Sequence, residues 1–420
     1  MPFDVKGKTF TIIGAARSGI AAANLLVSLG AMVKISDSKS KEALEDQLKL
    51  LLKRTEVTIE SDCHTEDFIC HSDYIVVSPG VPYAAKPLVW ARAKGLEVIS
   101  EIELAYRLCP AVIIAVTGTN GKTTTVNLIA DILRRAGKNV CLCGNIGQPF
   151  SSKVMGIKPS DIVVLEISSF QLQTTSTFRP KVAVWTNFSQ NHLDQHKDLK
   201  EYFDAKCRLL INQQSTDVAI LNAKQPEHVD IAATLKAKVE FFNSSNDPKD
   251  IDNPNFLAAL YAVRALGIDD RISREVFAAF KGVEHRLEFV RQLNGVDYIN
   301  DSKSTTLEAG RWALERMSKP VVLICGGSNK NLNYESLKDL VKLKVKHMVT
   351  IGEIGPLMKN TFDGVVSVDL LDTFKGAIDA ATRYALEGEC VLLSPMTASF
   401  DMFDDYEHRG RVFKEMVNSL

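Results

Sequence analysis

Short apolar runs alternate with longer stretches of helical periodicity along nearly the whole chain. Such alternation predicts parallel β-sheets covered by α-helices. The alternation restarts three times, each time with an apolar strand and a turn rich in small residues: TFTIIGAARSG from Thr9, AVIIAVTGTNG from Ala111 and YINDSKSTT from Tyr298. We therefore predict an α/β protein of three domains, spanning residues 1–101, 102–284 and 285–420.

Bulk composition narrows the class of protein. The chain has 420 residues, too many for one ordinary core, and its 45% hydrophobic and 24% charged residues are typical of a soluble globular protein. The 50 basic side chains nearly balance the 51 acidic ones, which argues against a general nucleic-acid binder. No apolar run approaches the ~20 residues that span a membrane, and the start does not resemble a signal peptide. The scattered cysteines form no CxxC pair and favour reduced thiols, so we expect a cytoplasmic monomer that is not inserted in membranes.

The strongest local signal is the segment Thr-Gly-Thr-Asn-Gly-Lys-Thr-Thr at positions 117–124. An apolar strand ends there and a helix follows a glycine-containing turn, so backbone amides can surround phosphate oxygens. Lys122 would neutralise the terminal phosphates and the Thr123 hydroxyl would meet magnesium. Val116 stands where the general GxxxxGK[ST] pattern has its first glycine, and an ordinary turn with a chance lysine is the alternative. We interpret the central domain as a P-loop-type ATPase domain, with ATP contacts from Gly118, Thr119, Asn120, Gly121, Lys122, Thr123 and Thr124.

Two residues at neighbouring strand ends are candidate magnesium ligands. Glu166 closes the apolar strand of LEISSFQL, and the C-terminal ends of parallel strands are where open α/β sheets bind ligands. Magnesium prefers oxygen ligands, so a carboxylate beside a phosphate loop suits that ion. His192 follows the next strand, in TNFSQNHLDQH. Taken singly, such a glutamate is usually solvated and such a histidine usually lies on the surface or in a core.

The first domain carries GAARSG at positions 14–19 and Asp37 at the end of its second predicted strand. The pair resembles the GxGxxG fingerprint and its ribose-binding acid, and it predicts a Rossmann-like domain. Ala16 replaces the middle glycine, which limits the approach of a pyrophosphate. Two rival classes stay open. A nicotinamide-dependent oxidoreductase explains this motif but not the phosphate loop, and a nucleotide-regulated binding protein explains the loop without chemistry.

Three polar turns follow apolar strands in the last domain, which we also predict to be Rossmann-like. The first contains Asp301, Lys303 and Thr305, and the others are the segments 326–330 and 394–399. Turns of this kind at three strand ends suggest a second ligand-binding rim. Ser and Asp also act as helix N-caps in ordinary turns, which is the alternative for any one of them.

With these motifs in view, the sequence resembles the Mur ligase family over essentially its whole length. VTGTNGKTTT is similar to that family's shortened ATP loop, and GNIGQPF, LEISSFQL, the His192 segment and YFDAKCRLL occur in the same order in its central domain. The resemblance implies that Lys206 is carried as a carbamate near the metal. Carbamylation turns a repelling ammonium into an anion that a divalent cation attracts. The implied catalytic residues are Lys122, Glu166, His192 and Lys206, and the implied metal ligands are Thr123, Glu166, His192 and the modified Lys206.

Within the family, GVEHRLEFV, INDSKST, GGSNK and SPMTASFDMFDDYEHRG are similar to the members that add D-glutamate. The resemblance then implies a ligase that uses ATP and Mg²⁺ to join D-glutamate to UDP-N-acetylmuramoyl-L-alanine through an acyl phosphate, in peptidoglycan precursor synthesis. Further contacts with ATP are implied for Asn255, Arg286, Asp301 and Lys303. Contacts with D-glutamate are implied for Thr305, Lys330, Ser399, Phe400 and Tyr406. Contacts with the UDP-linked substrate are implied for Ser18, Asp37, Ser38, Gly80, Asn145 and Ser168.

The sequence departs from the family pattern in four places. Asp252 replaces the first Asn of an N-x-x-N motif, Asn191 replaces an acidic residue before the histidine, and Asn329 replaces the Asp of GGxDK. In addition, SPMTAS replaces SPACAS. These differences affect the expected adenine contact and amino-acid preference more than the reaction class. A folylpolyglutamate-type ligase is the alternative within that class, but it leaves a UDP-binding type of first domain unused.

Overall fold

The computed structural model describes residues 3–189, 196–280, 282–329 and 332–420. The chain forms two compact units, Met1–Phe280 and Lys281–Leu420. The first unit contains two parallel sheets and the second contains one mixed sheet, so the predicted α/β class is confirmed. The division of the first unit near residue 101 stays a prediction. No helix within the described ranges is long and apolar enough to cross a membrane.

Five parallel strands form the first sheet: β1 Thr9–Ile13, β2 Met32–Ser36, β3 Val57–Glu60, β4 Tyr74–Val77 and β5 Glu97–Ser100. The associated helices are α1 Arg17–Ser28, α2 Lys41–Leu48, α3 Glu66–Cys70, α4 Lys86–Ala93 and α5 Glu101–Leu108. The strand order is β3-β2-β1-β4-β5. The direction of winding reverses between β1 and β4, and such a switch point opens a crevice at the C-terminal strand ends.

Six parallel strands form the second sheet: β6 Val112–Thr117, β7 Val140–Gly144, β8 Ile162–Glu166, β9 Val182–Trp185, β10 Val218–Asn222 and β11 Lys238–Phe242. The helices are α6 Lys122–Arg135, α7 Ser169–Gln173, α8 Leu199–Cys207, α9 Pro226–Ala232, α10 Pro254–Arg264 and α11 Asp270–Ala279. The order β11-β10-β9-β6-β8-β7 places β6 between β9 and β8. All residues of β8 are buried, so an aliphatic strand ends in a buried carboxylate, Glu166.

The second unit is built on β12 Glu288–Leu293, β13 Val296–Asn300, β14 Val321–Gly326, β15 Val345–Ile351, β16 Ser367–Leu370 and β17 Cys390–Leu393. Its helices are α12 Leu307–Arg316, α13 Lys338–Lys344, α14 Gly355–Phe362, α15 Phe374–Tyr384 and α16 Tyr406–Asn418. The order is β12-β13-β17-β14-β15-β16, with β12 antiparallel to β13 and the other pairs parallel. Short 3₁₀ helices in the chain span Arg54–Glu56, Phe150–Ser152, Val154–Gly156 and Tyr334–Leu337.

Candidate active site

The phosphate loop expected from the sequence connects the C-terminal end of β6 to the N-terminus of α6. Two of its residues use the conformational freedom of glycine, since Gly118 and Gly121 have φ angles of +150° and +81°. A Cβ atom would also collide with Thr186 Oγ1 at Gly118 and with Asn255 Oδ1 at Gly121. The loop is therefore packed closely against the residues that follow β9 and against the start of α10.

Asn187 holds this loop in shape. Its backbone oxygen accepts a hydrogen bond from the Thr119 amide at 3.0 Å, and its side-chain oxygen accepts one from the Asn120 amide at 2.9 Å. The Thr186 hydroxyl donates to the Asn120 carbonyl oxygen at 2.7 Å. Because these two loop amides are engaged inside the protein, the first amides of α6, which have no intrahelical acceptor, are the donors available to a phosphate. No sequence motif predicted this supporting role for Thr186 and Asn187. The pattern that could have indicated it is a polar pair directly after the buried strand β9.

Two lysine amino groups converge on one carbonyl oxygen of the loop. Lys122 Nζ lies 2.8 Å from Gly118 O and 3.0 Å from Thr119 O, and Lys206 Nζ lies 3.0 Å from Gly118 O. Lys206 is 1% exposed, and burial together with the charge of Lys122 lowers its pKa well below the ordinary value. Among the residues that the structure describes, no carboxylate forms an ion pair with Lys206. An anion bound at this turn would therefore lie beside the amino groups of two lysines, an arrangement that suits a polyphosphate.

Glu166 presents an unpaired carboxylate oxygen beside the same loop. It pairs in register with Val116, directly before the loop. Its Oε1 atom accepts a hydrogen bond from Asn145 Nδ2 at 2.8 Å, whereas Oε2 is buried without a hydrogen-bond partner in the described part of the chain. A buried carboxylate oxygen without a partner is costly, and a divalent cation that prefers oxygen ligands satisfies it. The other predicted ligand, His192, lies outside the described residues.

Two residues expected to contact the acceptor substrate are engaged with the protein itself. Asn145 binds Glu166 through its side chain, and its backbone amide donates to Glu166 O at 2.9 Å. Ser168 is the N-cap of α7 and forms a capping box with Gln171, which stabilises the first turn of this short helix. Both residues lie at the C-terminal edge of the second sheet. Their expected contacts with substrate stay predictions.

The first sheet has a separate cavity of about 310 Å³ at its switch point. The predicted nucleotide residues Asp37, Ser38 and Gly80 line this cavity together with Gly14. Asp37 holds two segments of the cavity lining in place, because its carboxylate accepts hydrogen bonds from the Ala15 amide at 2.7 Å and the Lys39 amide at 2.9 Å. The structure thus brings three of the predicted residues together at the place where a Rossmann-like sheet binds a nucleotide. Ser18, the other residue expected here, lies on α1 and is not part of this lining.

In the second unit, the three polar turns predicted from the sequence follow the neighbouring strands β13, β17 and β14, and they contact one another. Ser394 Oγ donates to Asp301 Oδ2 at 3.0 Å, and the Ser328 amide donates to Ala398 O at 3.0 Å. Arg409, which no motif reasoning assigned, is 1% exposed and donates to Ser302 O at 2.8 Å and to Ser302 Oγ at 2.9 Å. Burial lowers the pKa of Arg409 to about 10. This buried arginine stabilises the turn that carries Asp301.

Asp301 is the titratable group in the middle of these turns. It is 3% exposed, and burial raises its pKa to about 7 although the Leu287 amide and the Ser394 hydroxyl donate to it. Lys303 Nζ lies 5.2 Å from the ring centroid of Tyr406, so two predicted ligand residues are neighbours. This edge of the sheet therefore combines a cation, a phenol and a carboxyl group that titrates near neutrality.

The remaining predicted residues of this unit differ in exposure. Ser399 is buried and accepts a backbone hydrogen bond from Phe403 N at 2.9 Å, whereas Phe400 is 75% exposed. Thr305 lies in the first of the polar turns, and the Arg286 guanidinium is 5.9 Å from the ring centroid of Trp312. Lys330 lies outside the described residues. The expected contacts of these residues with D-glutamate and ATP stay predictions.

A glycine-containing loop between a strand and a helix in a parallel sheet, together with a Rossmann-like sheet before it and a mixed sheet after it, is typical of a nucleotide-dependent enzyme. The profile described as Mur ligase middle domain matches residues 116–261, and the profile described as Mur ligase MurD-like, N-terminal domain matches residues 8–100. The chain belongs to the Mur ligase family, whose members are ATP-dependent ligases.

Relatives with high similarity match nearly the full chain. UDP-N-acetylmuramoylalanine--D-glutamate ligase of Koribacter versatilis is 40% identical over 448 residues, which cover 99% of this chain and 98% of that protein. The protein of the same name from Pelotomaculum thermopropionicum is 38% identical over 452 residues, which cover 99% of both chains.

Solved structures show the same fold at lower identity. UDP-N-acetylmuramate-alanine ligase MurC from Thermotoga maritima has a TM-score of 0.59 at 17% identity and covers 98% of this chain and 99% of its own. FolC of E. coli in complex with ADP has a TM-score of 0.58 at 18% identity and covers 81% of this chain and 98% of its own. The predicted fold class is thus confirmed by comparison as well as by the strand order.

Proposed function

We propose that this protein is an ATP-dependent ligase that joins the amino group of D-glutamate to the carboxylate of UDP-N-acetylmuramoyl-L-alanine. The observation that carries the proposal is the loop between β6 and α6, where two lysine amino groups bind one carbonyl oxygen and the neighbouring strand β8 ends in a buried carboxylate oxygen with no hydrogen-bond partner among the described residues. The two relatives named as D-glutamate ligases of this substrate, which match 99% of the chain, support the choice of reactants. ADP, phosphate and an amide are the products.

The reaction proceeds in two steps through an acyl phosphate. A carboxylate oxygen of the acceptor attacks the γ-phosphorus of ATP, a P–O bond to ADP breaks, and ADP leaves. The amine of D-glutamate then attacks the acyl carbon, phosphate leaves with the C–O electron pair, and the amine loses a proton. Lys122 and the first amides of α6 bind and orient the phosphates. Positioning and charge neutralisation supply most of the catalysis in reactions of this kind.

The donor set of the second sheet fits a magnesium ion. Glu166, with its unpaired Oε2, and Thr123, at the start of α6, are the described residues that would hold it, and His192 is a further expected ligand. When bound, the ion neutralises phosphate oxygens and polarises the γ-phosphoryl group. Asn145 orients Glu166 for this role by donating to the other carboxylate oxygen. Removal of Mg²⁺ with EDTA should therefore stop turnover.

Lys206 is the residue proposed to carry a carbamate. Burial lowers the pKa of Lys206 well below its ordinary value and so favours the uncharged amine, which can add CO₂ to give a carbamate with loss of one proton. Burial without an acidic partner among the described residues supports this assignment. Enzyme kept in CO₂-free buffer should lose activity and regain it with bicarbonate. A Lys206→Arg variant that responded to bicarbonate in the same way would exclude the assignment.

We propose that D-glutamate binds at the three polar turns that follow β13, β14 and β17 in the second unit. Lys330 and the Ser399 hydroxyl are expected to bind the carboxylates by charge-assisted hydrogen bonds, and Tyr406, which is also assigned to D-glutamate, lies beside Lys303 of the ATP set. Thr305 and Phe400 complete the residues assigned to the amino acid, and the residues of this proposal assigned to ATP outside the loop are Asn255, Arg286, Asp301 and Lys303. We also propose that the protein acts as a cytoplasmic monomer on these small molecules, which sedimentation velocity would test.

The decisive experiment measures phosphate release with ATP, Mg²⁺ and UDP-N-acetylmuramoyl-L-alanine across a panel of D- and L-amino acids. Release that depends on D-glutamate, with the amide product detected by mass spectrometry, is the expected result. Release with a different amino acid would change the assigned specificity while leaving the ligase reaction intact. Nucleotide hydrolysis that the UDP-linked acceptor does not stimulate would refute the reaction itself.

A further inference from the structure

The cavity of the first sheet has a residue in its wall that no sequence motif singles out. His64, which follows β3, lines the same cavity as Asp37, Lys39 and Gly80. Its Nδ1 atom lies 2.7 Å from the hydroxyl oxygen of Ser36, the last residue of β2. Ser36 is fully buried, so water does not compete for this hydroxyl. The imidazole ring is therefore held in place through one of its two nitrogens.

The direction of each hydrogen bond in this group follows from Glu60. Its carboxylate accepts from the Ser36 hydroxyl at 2.6 Å and from the Thr65 amide at 3.2 Å. Burial raises the pKa of Glu60, but the hydrogen bonds from Ser36 and Thr65 outweigh it, and the pKa lies below its ordinary value. Glu60 is thus an ionised acceptor at neutral pH and takes the single hydroxyl proton of Ser36. His64 Nδ1 must then donate to Ser36, so Nε2 is the ring nitrogen that remains for a ligand, and it accepts a hydrogen bond in the Nδ1–H tautomer.

The charges around the cavity determine which part of a nucleotide can lie next to His64. Lys39 and Ala16, the N-cap residue of α1, also line the cavity, and a cation and a helix N-terminus both favour a diphosphate. The ionised Glu60 carboxylate, which binds Ser36 next to the His64 ring, repels a phosphate oxygen. The part of the cavity at His64 therefore suits a hydrogen-bond donor of the ligand. In UDP these donors are the uracil N3–H and the two ribose hydroxyls.

We propose that His64 Nε2 accepts a hydrogen bond from the uridine of the UDP-linked substrate, with Ser36 and Glu60 as positioning residues. The inference rests on the proposed function for the identity of the nucleotide. It predicts that His64 contributes to affinity for the UDP-linked substrate and takes no part in the chemistry at the phosphate loop.

The first test is calorimetric titration of the full-length protein with UDP. His64→Ala should raise the Kd for UDP about 5- to 10-fold, the effect of one lost neutral hydrogen bond. His71→Ala is the matched control, because the His71 side chain is 76% exposed and lies outside the cavity lining. An unchanged Kd for UDP in a His64→Ala protein that melts at the same temperature as the control would overturn the proposal.

The second test identifies the donor without relying on a substitution. The unaltered protein is titrated with 3-methyl-UDP, 2′-deoxy-UDP and 3′-deoxy-UDP, each of which lacks one donor. One analogue should bind more weakly than UDP by a similar factor, and His64→Ala should bind that analogue and UDP equally well. Equal binding of UDP and all three analogues by the unaltered protein would contradict the proposal even if the variant failed to fold.

Steady-state kinetics separate binding from catalysis. His64→Ala should raise the KM for UDP-N-acetylmuramoyl-L-alanine by the same factor while kcat and the KM for ATP stay unchanged. Ser36→Ala should shift the same KM less, because Nε2 is still present but the ring is no longer held. If the unaltered protein binds UDP through His64 but does not ligate D-glutamate, only the proposed function fails. If it ligates D-glutamate and His64→Ala leaves the KM unchanged, only this inference fails.

Discussion

Replacement of Glu166 by Gln should make the protein more stable and far less active. The substitution keeps an oxygen for Asn145 and removes a buried charge whose second oxygen has no partner in the described residues. A buried polar group left unpaired destabilises a fold by about 1–3 kcal/mol, and more when it is charged. The new amide N–H groups also lack acceptors, so only part of that penalty is relieved. We expect the free energy of unfolding to rise by about 1 kcal/mol in buffer without Mg²⁺.

A matched control is Glu103→Gln, which removes a buried charge with a full set of partners. Glu103 is completely buried and accepts hydrogen bonds from Arg107 Nε at 2.8 Å and from the amides of Thr177 and Phe178 at 2.9 and 3.0 Å. These partners hold the pKa of Glu103 below its ordinary value despite burial. The same chemical change should therefore destabilise the protein by about 3 kcal/mol, because a buried ion pair loses one charge.

The two variants are compared by denaturant unfolding with EDTA or with Mg²⁺ and ATP, and by phosphate release. The unaltered protein should gain stability from Mg²⁺ and ATP, by about 2.7 kcal/mol at 100 times Kd, and Glu166→Gln should gain much less. Turnover of Glu166→Gln should fall about 100-fold or more, since a group that neutralises transition-state charge is lost. If Glu166→Gln lost stability as Glu103→Gln does, or kept normal turnover, the assigned role of this carboxylate would be wrong.

Three further outcomes follow from the site. Lys122→Ala should abolish ATP-dependent phosphate release while Lys138→Ala, an exposed lysine after α6, leaves it normal; ligation by the first variant would refute the loop assignment. Gly121→Ala should destabilise the protein by about 1 kcal/mol more than Gly137→Ala in thermal unfolding, because both have positive φ but only the first Cβ meets a side chain. Burial raises the pKa of Asp301 to about 7 in the folded protein, so the protonated carboxyl contributes its full stabilisation below about pH 4. That stabilisation is lost as the pH rises through 7. Relative to Asp301→Asn, the wild type should lose up to about 4 kcal/mol of stability across that window, and parallel pH profiles would contradict this.

Much of the fold was predictable because its signals are local. Each strand of a parallel sheet covered on both faces is a short apolar run, and the phosphate loop is a contiguous segment between such a strand and a helix. The antiparallel strand β12 gives no comparable signal, because it lies at a sheet edge and is largely half-exposed. The buried Arg409 was missed for a related reason, since an arginine in a helical pattern is ordinarily a surface residue.

The sequence by itself determined the fold class, the phosphate loop and the presence of acids at strand ends, since each depends on neighbours along the chain. Only the tertiary structure decided which of these groups meet. The strand order places Glu166 beside the loop, packing of α8 brings Lys206 onto the same carbonyl oxygen as Lys122, and the first sheet links His64 to Ser36. These contacts join residues far apart in the chain, and their geometry depends on strand order, register and burial, which no local pattern of side chains specifies.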